Sequence, residues 1–253
     1  MNRTSAENNK VLAKPKGFVF DYRGTIDTQG CHWGKMIWHA YERANIPVSE
    51  DEFQKAYVDA ERTLGRNPII QTSYTFEKTL RVKLRIEMDY LLENHCLQMD
   101  VEKGYKLVDN LLDDLYGRVC KTVANSKNVL TLLKKQFPLA LVSNFYGNMG
   151  EVIKEFELEG LFEHIVESAV VGVKKPDPKI FQMGVEALGL TPADVVVVGD
   201  SFDKDILPAK KLGCRTIWIK GEEWTKERHD ENIPEAVIES LDEIITLFAL
   251  DLH

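Results

Sequence analysis

A chain of 253 residues is long enough to bury one large core with an inserted lobe, or two modest domains, and a composition of 44% hydrophobic and 28% charged residues excludes a disordered polymer. The formal charge of -8 is spread along the chain rather than gathered into an acidic tail, which argues against nucleic acid as a partner. Cys31, Cys96, Cys120 and Cys214 are scattered with no Cys-x-x-Cys pair, so neither a zinc knuckle nor a disulfide framework is expected.

In chain order, residues 1–17 are polar and lack the apolar run of a signal peptide. No later stretch approaches the ~20 apolar residues of a spanning helix. The expectation is a cytoplasmic protein with no membrane partner. Phe18-Val19-Phe20 reads as a short buried strand running into Asp21. The next hundred residues, 29–123, read almost wholly as helix. Ser49-Glu50-Asp51-Glu52 has capping-box spacing ahead of Phe53, Tyr57 and Leu64, while 76–92 and 101–119 carry apolar residues three and four apart. This segment is expected to be a helical cap joined to the remainder, 1–28 and 124–253, by crossings near 28–30 and 121–124. Such a lobe could hinge over a site and exclude water.

Beyond it, strands are expected at Leu139 to Val142, running into Ser143-Asn144; at Ile165 to Val171, running into Gly172; at Val195 to Val198, running into Gly199-Asp200; and at Thr216 to Ile219, running into Lys220-Gly221. Helical patterns at 126–136, 150–157, 177–188 and 203–212 alternate with them. Alternation of this kind predicts a doubly wound parallel α/β sheet with an inserted all-helical cap. Ligands of such sheets bind beyond the carboxyl ends of the strands, where Asp21, Ser143, Lys175 and Asp200 all fall.

Each polar strand end has an ordinary reading of its own. Asp21 and Ser143-Asn144 could be turns, Lys174-Lys175 a solvated loop, and Asp200 to Asp205 an acidic helix start. Together and in order they carry more. Asp21-Tyr22-Arg23-Gly24-Thr25-Ile26-Asp27, Val142-Ser143-Asn144, Lys175-Pro176-Asp177-Pro178 and Gly199-Asp200-Ser201-Phe202-Asp203-Lys204-Asp205 resemble the four motifs of the haloacid dehalogenase superfamily, and the helical insertion stands in that family's place. The resemblance runs from Gly17 to about Asp242.

It implies that Asp21 is a carboxylate nucleophile forming a covalent aspartyl intermediate, which divides one hard step into two easier ones. It also implies Mg2+ held by Asp21, the backbone carbonyl of Arg23 and Asp200, with Asp205 supporting it or binding through water. Ser143, Thr25 and the amide of Asn144 would take the oxygens of the transferred group, Thr25 also belongs to the turn that lifts Asp21, and Lys175 would pin Asp21 and neutralise charge. Asp203 is expected only to start a helix.

At one position the pattern breaks. The family's phosphatases carry a second Asp two residues after the nucleophile as the general acid and base, and this chain has Arg23. A guanidinium stays protonated at any accessible pH, so a contribution of ~100- to ~10,000-fold loses its usual agent. The family's dehalogenases and phosphonate hydrolases also differ at this position. The former generally lack the acidic fourth motif kept here, and the latter use a cap lysine, for which Lys35, Lys55 and Lys78 are available. His32, His39, Trp33, Trp38, Arg62, Arg66, Arg81 and Arg85 could face a substrate, but packed or solvated helix faces account for them equally.

Three functions fit these residues. One is hydrolysis of a small, anionic, phosphorylated metabolite through Asp21, with Arg23 binding substrate or orienting the nucleophile. A second is a silent scaffold that binds a phosphorylated ligand or a protein. The third is carbon–halogen or carbon–phosphorus cleavage. An Arg23 paired with Asp21 or Asp200 would favour silence, and one turned toward the cap would favour substrate binding. The oligomeric state is not set by the sequence.

Overall fold

The structure is a computed structural model that describes residues 11–225 and 227–250. Six parallel strands form one sheet: β1 (Gly17–Phe20), β2 (Leu139–Ser143), β3 (His164–Glu167), β4 (Val195–Gly199), β5 (Arg215–Ile219) and β6 (Ala236–Ile238). Their order is β3-β2-β1-β4-β5-β6. The chain winds outward from β1 in one direction and then from β4 in the other. A crevice therefore opens between the carboxyl ends of β1 and β4, which pair in register from Gly17↔Val195 to Phe20↔Val198.

Alternation along the strands assigns the two faces. Phe18, Phe20, Leu139, Leu141, Val196, Val198, Ile217 and Ile219 share one apolar cluster with the helical insertion. Val19, Ala140, Val142, Val195 and Val197 share the other with Ile180, Phe181 and Val185. Coverage on both faces is why these strands read as unbroken apolar runs. Each fully buried aromatic or aliphatic side chain contributes roughly 1.5–3 kcal/mol.

Four helices lie between β1 and β2: α1 (Trp33–Arg43), α2 (Glu50–Arg66), α3 (Phe76–Glu93) and α4 (Val101–Lys134). Ser49 caps α2 with a reciprocal box to Glu52. At the start of α3, Thr75 is the N-cap, and the Glu155 carboxylate accepts from the backbone amides of Phe76 and Glu77. Glu155 lies on α5 (Met149–Glu155), so the sheet layer itself caps a helix of the insertion. The remaining helices are α6 (Ser168–Val171), α7 (Lys179–Ala187), α8 (Leu207–Leu212) and α9 (Glu243–Leu247). Among the described residues no helix is long and apolar enough to cross a membrane.

Four features depart from the sequence expectation. The strand expected through Val171 ends at Glu167, because Ser143 pairs with Glu167 and β2 stops there, leaving 168–171 no ladder to join. That segment closes into the single turn of α6. The helix expected to begin at Ser126 is the second half of α4, which runs through 121–124 without interruption. Lys121-Thr122-Val123-Ala124 contains no breaker, and Val119, Val123, Ser126 and Leu130 extend one buried stripe across it. The second crossing is thus a helix interior rather than a hinge loop. The turn expected to start a helix at Asp203 is a wider π-helical turn, Phe202–Ile206, ahead of α8. The sixth strand, β6, is three residues at the sheet edge with no long apolar run to announce it.

Candidate active site

The turn after β1 builds the centre of the crevice. Asp21 is buried, and its amide donates to the carbonyl of Val198 at 2.9 Å, which fixes it between β1 and β4. The chain then reverses through Gly24 at φ 94°. A Cβ there would lie 2.1 Å from Asp200 Oδ2, so only glycine admits the close approach of this turn to the end of β4. Asp27 locks the turn by accepting from the Gly24 amide at 2.7 Å and from Trp33 Nε1 at 2.9 Å. Burial pushes the Asp27 carboxyl up to about 7 despite these two donors.

Asp21, Asp200 and Asp205 bring carboxylate oxygens within 4.8 Å of one another. Lys175 Nζ contacts Asp21 Oδ1 and lies 2.7 Å from Asp205 Oδ1. The Thr25 hydroxyl lies 3.1 Å from Asp21 Oδ2 and 3.3 Å from Asp200 Oδ1. Asp205 Oδ2 accepts from the Ser201 amide at 3.0 Å. One lysine therefore faces three carboxylates in a buried place. Burial pushes Asp21 up to about 6 against the pull of Lys175, with Asp205 adding to the rise. Asp200 is driven well above the carboxylate range by burial and by its neighbours Asp21 and Asp205. Lys175 is raised, because Asp205 and Asp21 outweigh its burial. A cluster short of positive charge and built from hard oxygen donors suits a divalent cation such as Mg2+.

Asn144 acts through the backbone of Lys175: its Nδ2 donates to the Lys175 carbonyl at 3.1 Å and its Oδ1 accepts from the Lys175 amide at 2.9 Å. It also lines the cleft, whereas Ser143 and Thr25 do not border it. Ser143 is buried with a hydroxyl that has no partner, and the Thr25 hydroxyl is held against the carboxylates.

Arg23 leaves the carboxylate cluster and reaches the insertion. Its Nη2 lies 3.0 Å from Glu61 Oε1 on α2, and its Nη1 donates to the Tyr146 hydroxyl at 3.3 Å. Glu61 also receives Lys83 of α3. Burial would raise Glu61, but Arg23 and Lys83 hold it well below the usual range, so it stays ionised. Asp21, Arg23, Lys175, Asp200 and Asp205 border one cleft of about 120 Å³, together with His32, Trp33, Tyr57, Glu61, Asn144, Ser201 and, exposed at its mouth, Lys204. His32 Nδ1 accepts from the Gly34 amide at 3.0 Å, and burial drops its pKa to about 3, so the ring is neutral.

Other candidates lie elsewhere. His39 joins Glu42 and Glu222 on the surface, and Trp38 packs on Phe53. Lys35 pairs with Glu50, Lys78 sits over the Tyr74 ring, and Lys55 and Arg62 border a groove on the outer face of α2. Arg81 pairs with Glu77 and Asp109, Arg85 covers Tyr105, and Arg66 belongs to the last turn of α2. Sequence reasoning missed Tyr57, Glu61, Lys83 and Tyr146. Lys83 did leave a signal: with Glu87 it occupies the apolar stripe of α3 between Leu80, Leu84, Met88 and Leu91, where a charged pair four residues apart is out of place.

Comparison with known proteins identifies the family. Residues 15–213 match the family model described as haloacid dehalogenase-like hydrolase. The glyceraldehyde 3-phosphate phosphatase of Pyrococcus furiosus is 37% identical over 97 residues, 37% of this chain and 40% of that protein. Haloacid dehalogenase-like hydrolase domain-containing protein 3 of Danio rerio is 33% identical over 147 residues, 54% of this chain and 59% of that one. These matches thus span about half the length of those curated relatives. In structure, the HAD-hydrolase YfnB of Bacillus subtilis superposes with a TM-score of 0.59 at 18% identity, covering 94% of this chain and 100% of that one. With the family model matched over most of its length, the chain belongs to the haloacid dehalogenase-like hydrolases.

Proposed function

We propose that the protein hydrolyses a small phosphorylated metabolite through Asp21. The observation that carries this reading is the buried contact of Lys175 with both Asp21 and Asp205 beside Asp200, at the crevice between β1 and β4. Asp21 Oδ1 is held by Lys175 and Oδ2 by Thr25, which fixes the carboxylate and directs one oxygen at an incoming phosphorus. A bond forms from Asp21 to phosphorus as the ester oxygen leaves with the bonding electrons. Water then displaces Asp21 from the phosphoryl group, releasing inorganic phosphate and restoring the carboxylate.

Asp21, the Arg23 carbonyl and Asp200 would hold Mg2+, with Asp205 supporting them. When bound there, the ion would supply positive charge that offsets repulsion between Asp21 and the phosphoryl oxygens. Lys175, in contact with Asp21 and Asp205, would neutralise further charge. Arg23 cannot exchange a proton, and its turn toward Glu61 rather than toward Asp21 or Asp200 favours a role in holding substrate over occupation of the carboxylate cluster. The relative named a glyceraldehyde 3-phosphate phosphatase supports a short phosphorylated metabolite as the substrate class.

The test is phosphate release, with magnesium, from a panel of phosphorylated metabolites and an activated aryl phosphate, using the native protein, Asp21→Asn and Arg23→Asp. Turnover by the native protein that Asp21→Asn abolishes is expected. Silence of the native protein, with turnover gained only in Arg23→Asp, would overturn the reading in favour of a binding protein.

A further inference from the structure

Arg23, Glu61 and Lys83 form a charge cluster that phosphoryl transfer at Asp21 leaves without a purpose. Glu61 Oε1 alone serves both cations, Arg23 Nη2 at 3.0 Å and Lys83 Nζ. The cluster therefore holds two positive charges and one negative. Glu87, four residues beyond Lys83 on the same buried stripe, does not restore the balance: burial pushes it up to about 8, and neither of its oxygens has a hydrogen-bond partner. Donors are also in excess. A guanidinium offers five N–H groups and an ammonium three, while the hydrogen bonds seen here are Arg23 to Glu61 and Tyr146 and Lys83 to Glu61. The Lys83 ammonium is otherwise set 4.0 Å over the Tyr57 ring.

The place of this cluster gives the surplus a direction. Arg23 and Trp33 border both the polar cleft that holds Asp21 and a smaller, mostly apolar alcove lined by Phe76, Leu80, Phe145 and Lys83. Arg23 and Trp33 thus form the shared border between the cavity that holds Asp21 and the one that holds Lys83. Lys83 is buried against Glu61, and burial lowers its pKa against the pull of that carboxylate. An unmatched positive charge in such a place is costly without an anion to meet it.

We infer that Arg23 and Lys83 receive a carboxylate, so that the substrate is a short phosphate monoester whose organic group carries a second, carboxylate anion; this rests on the phosphohydrolase reading above. A planar carboxylate suits the guanidinium fork, and its single charge equals the surplus of the cluster. Glu61 then stands as an internal counter-ion that positions both cations before substrate arrives.

The test separates this inference from turnover by measuring binding to the Asp21→Asn protein by calorimetry with magnesium present. Two matched pairs serve as probes: 2-phosphoglycolate against ethyl phosphate, and 3-phosphoglycerate against glycerol 3-phosphate. In at least one pair the carboxylated member is expected to bind at least about ten-fold more tightly, and adding Lys83→Met should bring that affinity ratio to near one. Adding Glu61→Gln, which removes the internal competitor and keeps Lys83, should enlarge the ratio, giving a readout that does not depend on Lys83→Met folding. Equal affinities in both pairs, no binding by any probe, a ratio that survives Lys83→Met in a folded protein, or a ratio that falls in Glu61→Gln would each overturn the inference. Loss of phosphate release from every ester in the native protein, with the binding ratio intact, would instead sink the hydrolase reading alone.

Discussion

Arg23, two residues after Asp21, is joined to Glu61 of α2 by an ion pair of 3.0 Å, so the position that carries an acid in related phosphatases is occupied by a link to the helical insertion. Three of the side chains that line the cleft, Glu61, His32 and Lys175, are poorly suited to protonate a departing oxygen. Glu61 is held ionised, His32 is neutral, and Lys175 is engaged by two carboxylates.

The rate should therefore depend steeply on the leaving group. Aryl phosphates with acidic phenols are expected to exceed simple alkyl phosphates by about 100-fold or more in kcat/KM, and Arg23→Asp should narrow that gap by supplying an acid. A series of substituted phenyl and alkyl phosphates measures it. A flat dependence in the native protein would mean that another group in the cleft protonates the leaving oxygen.

The three carboxylates around Lys175 should make stability respond to magnesium. At a hundred times its Kd the ion should add about 2.7 kcal/mol. Asp200→Asn removes a carboxyl whose ionisation burial, Asp21 and Asp205 oppose, so without magnesium its Tm should rise, while the increment from magnesium should largely vanish. Thermal melts of both proteins with and without magnesium decide the matter, and an equal increment in the two would place the cation elsewhere.

Glu87 gives a pH signature. Its carboxyl is raised by burial from 4.5 to about 8, with Lys83 of α3 opposing, Glu61 of α2 adding to the rise, and Tyr41 of α1 nearby with an unpartnered hydroxyl. Between those two values the folded chain holds a proton that the unfolded chain releases. The stabilisation is thus complete below pH 4.5 and declines as pH rises toward 8, by up to about 1.4 kcal/mol per unit. Glu87→Gln keeps the shape and removes the titration. The difference in Tm between the variant and the native protein should grow in the variant's favour from pH 5 to 8, and a constant difference would contradict the assignment.

Gly117 lies exposed in the interior of α4, with open space where a Cβ would stand. Gly117→Ala should stabilise the protein by about 1 kcal/mol, through helix propensity alone. Denaturant titration reads the change directly, and a loss of stability would reveal a neighbour or a bend that the helix requires.

How much of this was legible in the sequence follows from where each contact is made. The β1, β2, β4 and β5 runs are apolar without interruption because both faces of the sheet are covered, and the polar residues that end them, Asp21, Ser143 and Asp200, mark one edge. The end of β3 was hidden because it depends on where β2 stops, a matter of pairing and not of propensity. β6 was hidden because three residues at an edge leave no periodicity. Glu61 meets Arg23 from 38 residues away in the chain, and Lys83 meets Glu61 from 22 residues away, through helix rotations that composition does not encode. Only the two charges in the apolar stripe of α3 hinted at them.

The unbroken α4 also changes what motion the molecule can make. Its 34 residues form a beam about 50 Å long, one end packed on the sheet and the other within the helical layer. The first connection, by contrast, is a loop stitched to the segment after β5, with Gly30 packed against Gly221 and the His32 amide donating to the Glu222 carbonyl at 2.9 Å. Two such attachments make a lever rather than a flap. A tilt of about one degree at the sheet end of α4 would carry the far end through about 1 Å, and the same helix is tied to the turn after β1 through Ser126, whose hydroxyl donates to the Ile26 carbonyl at 2.8 Å.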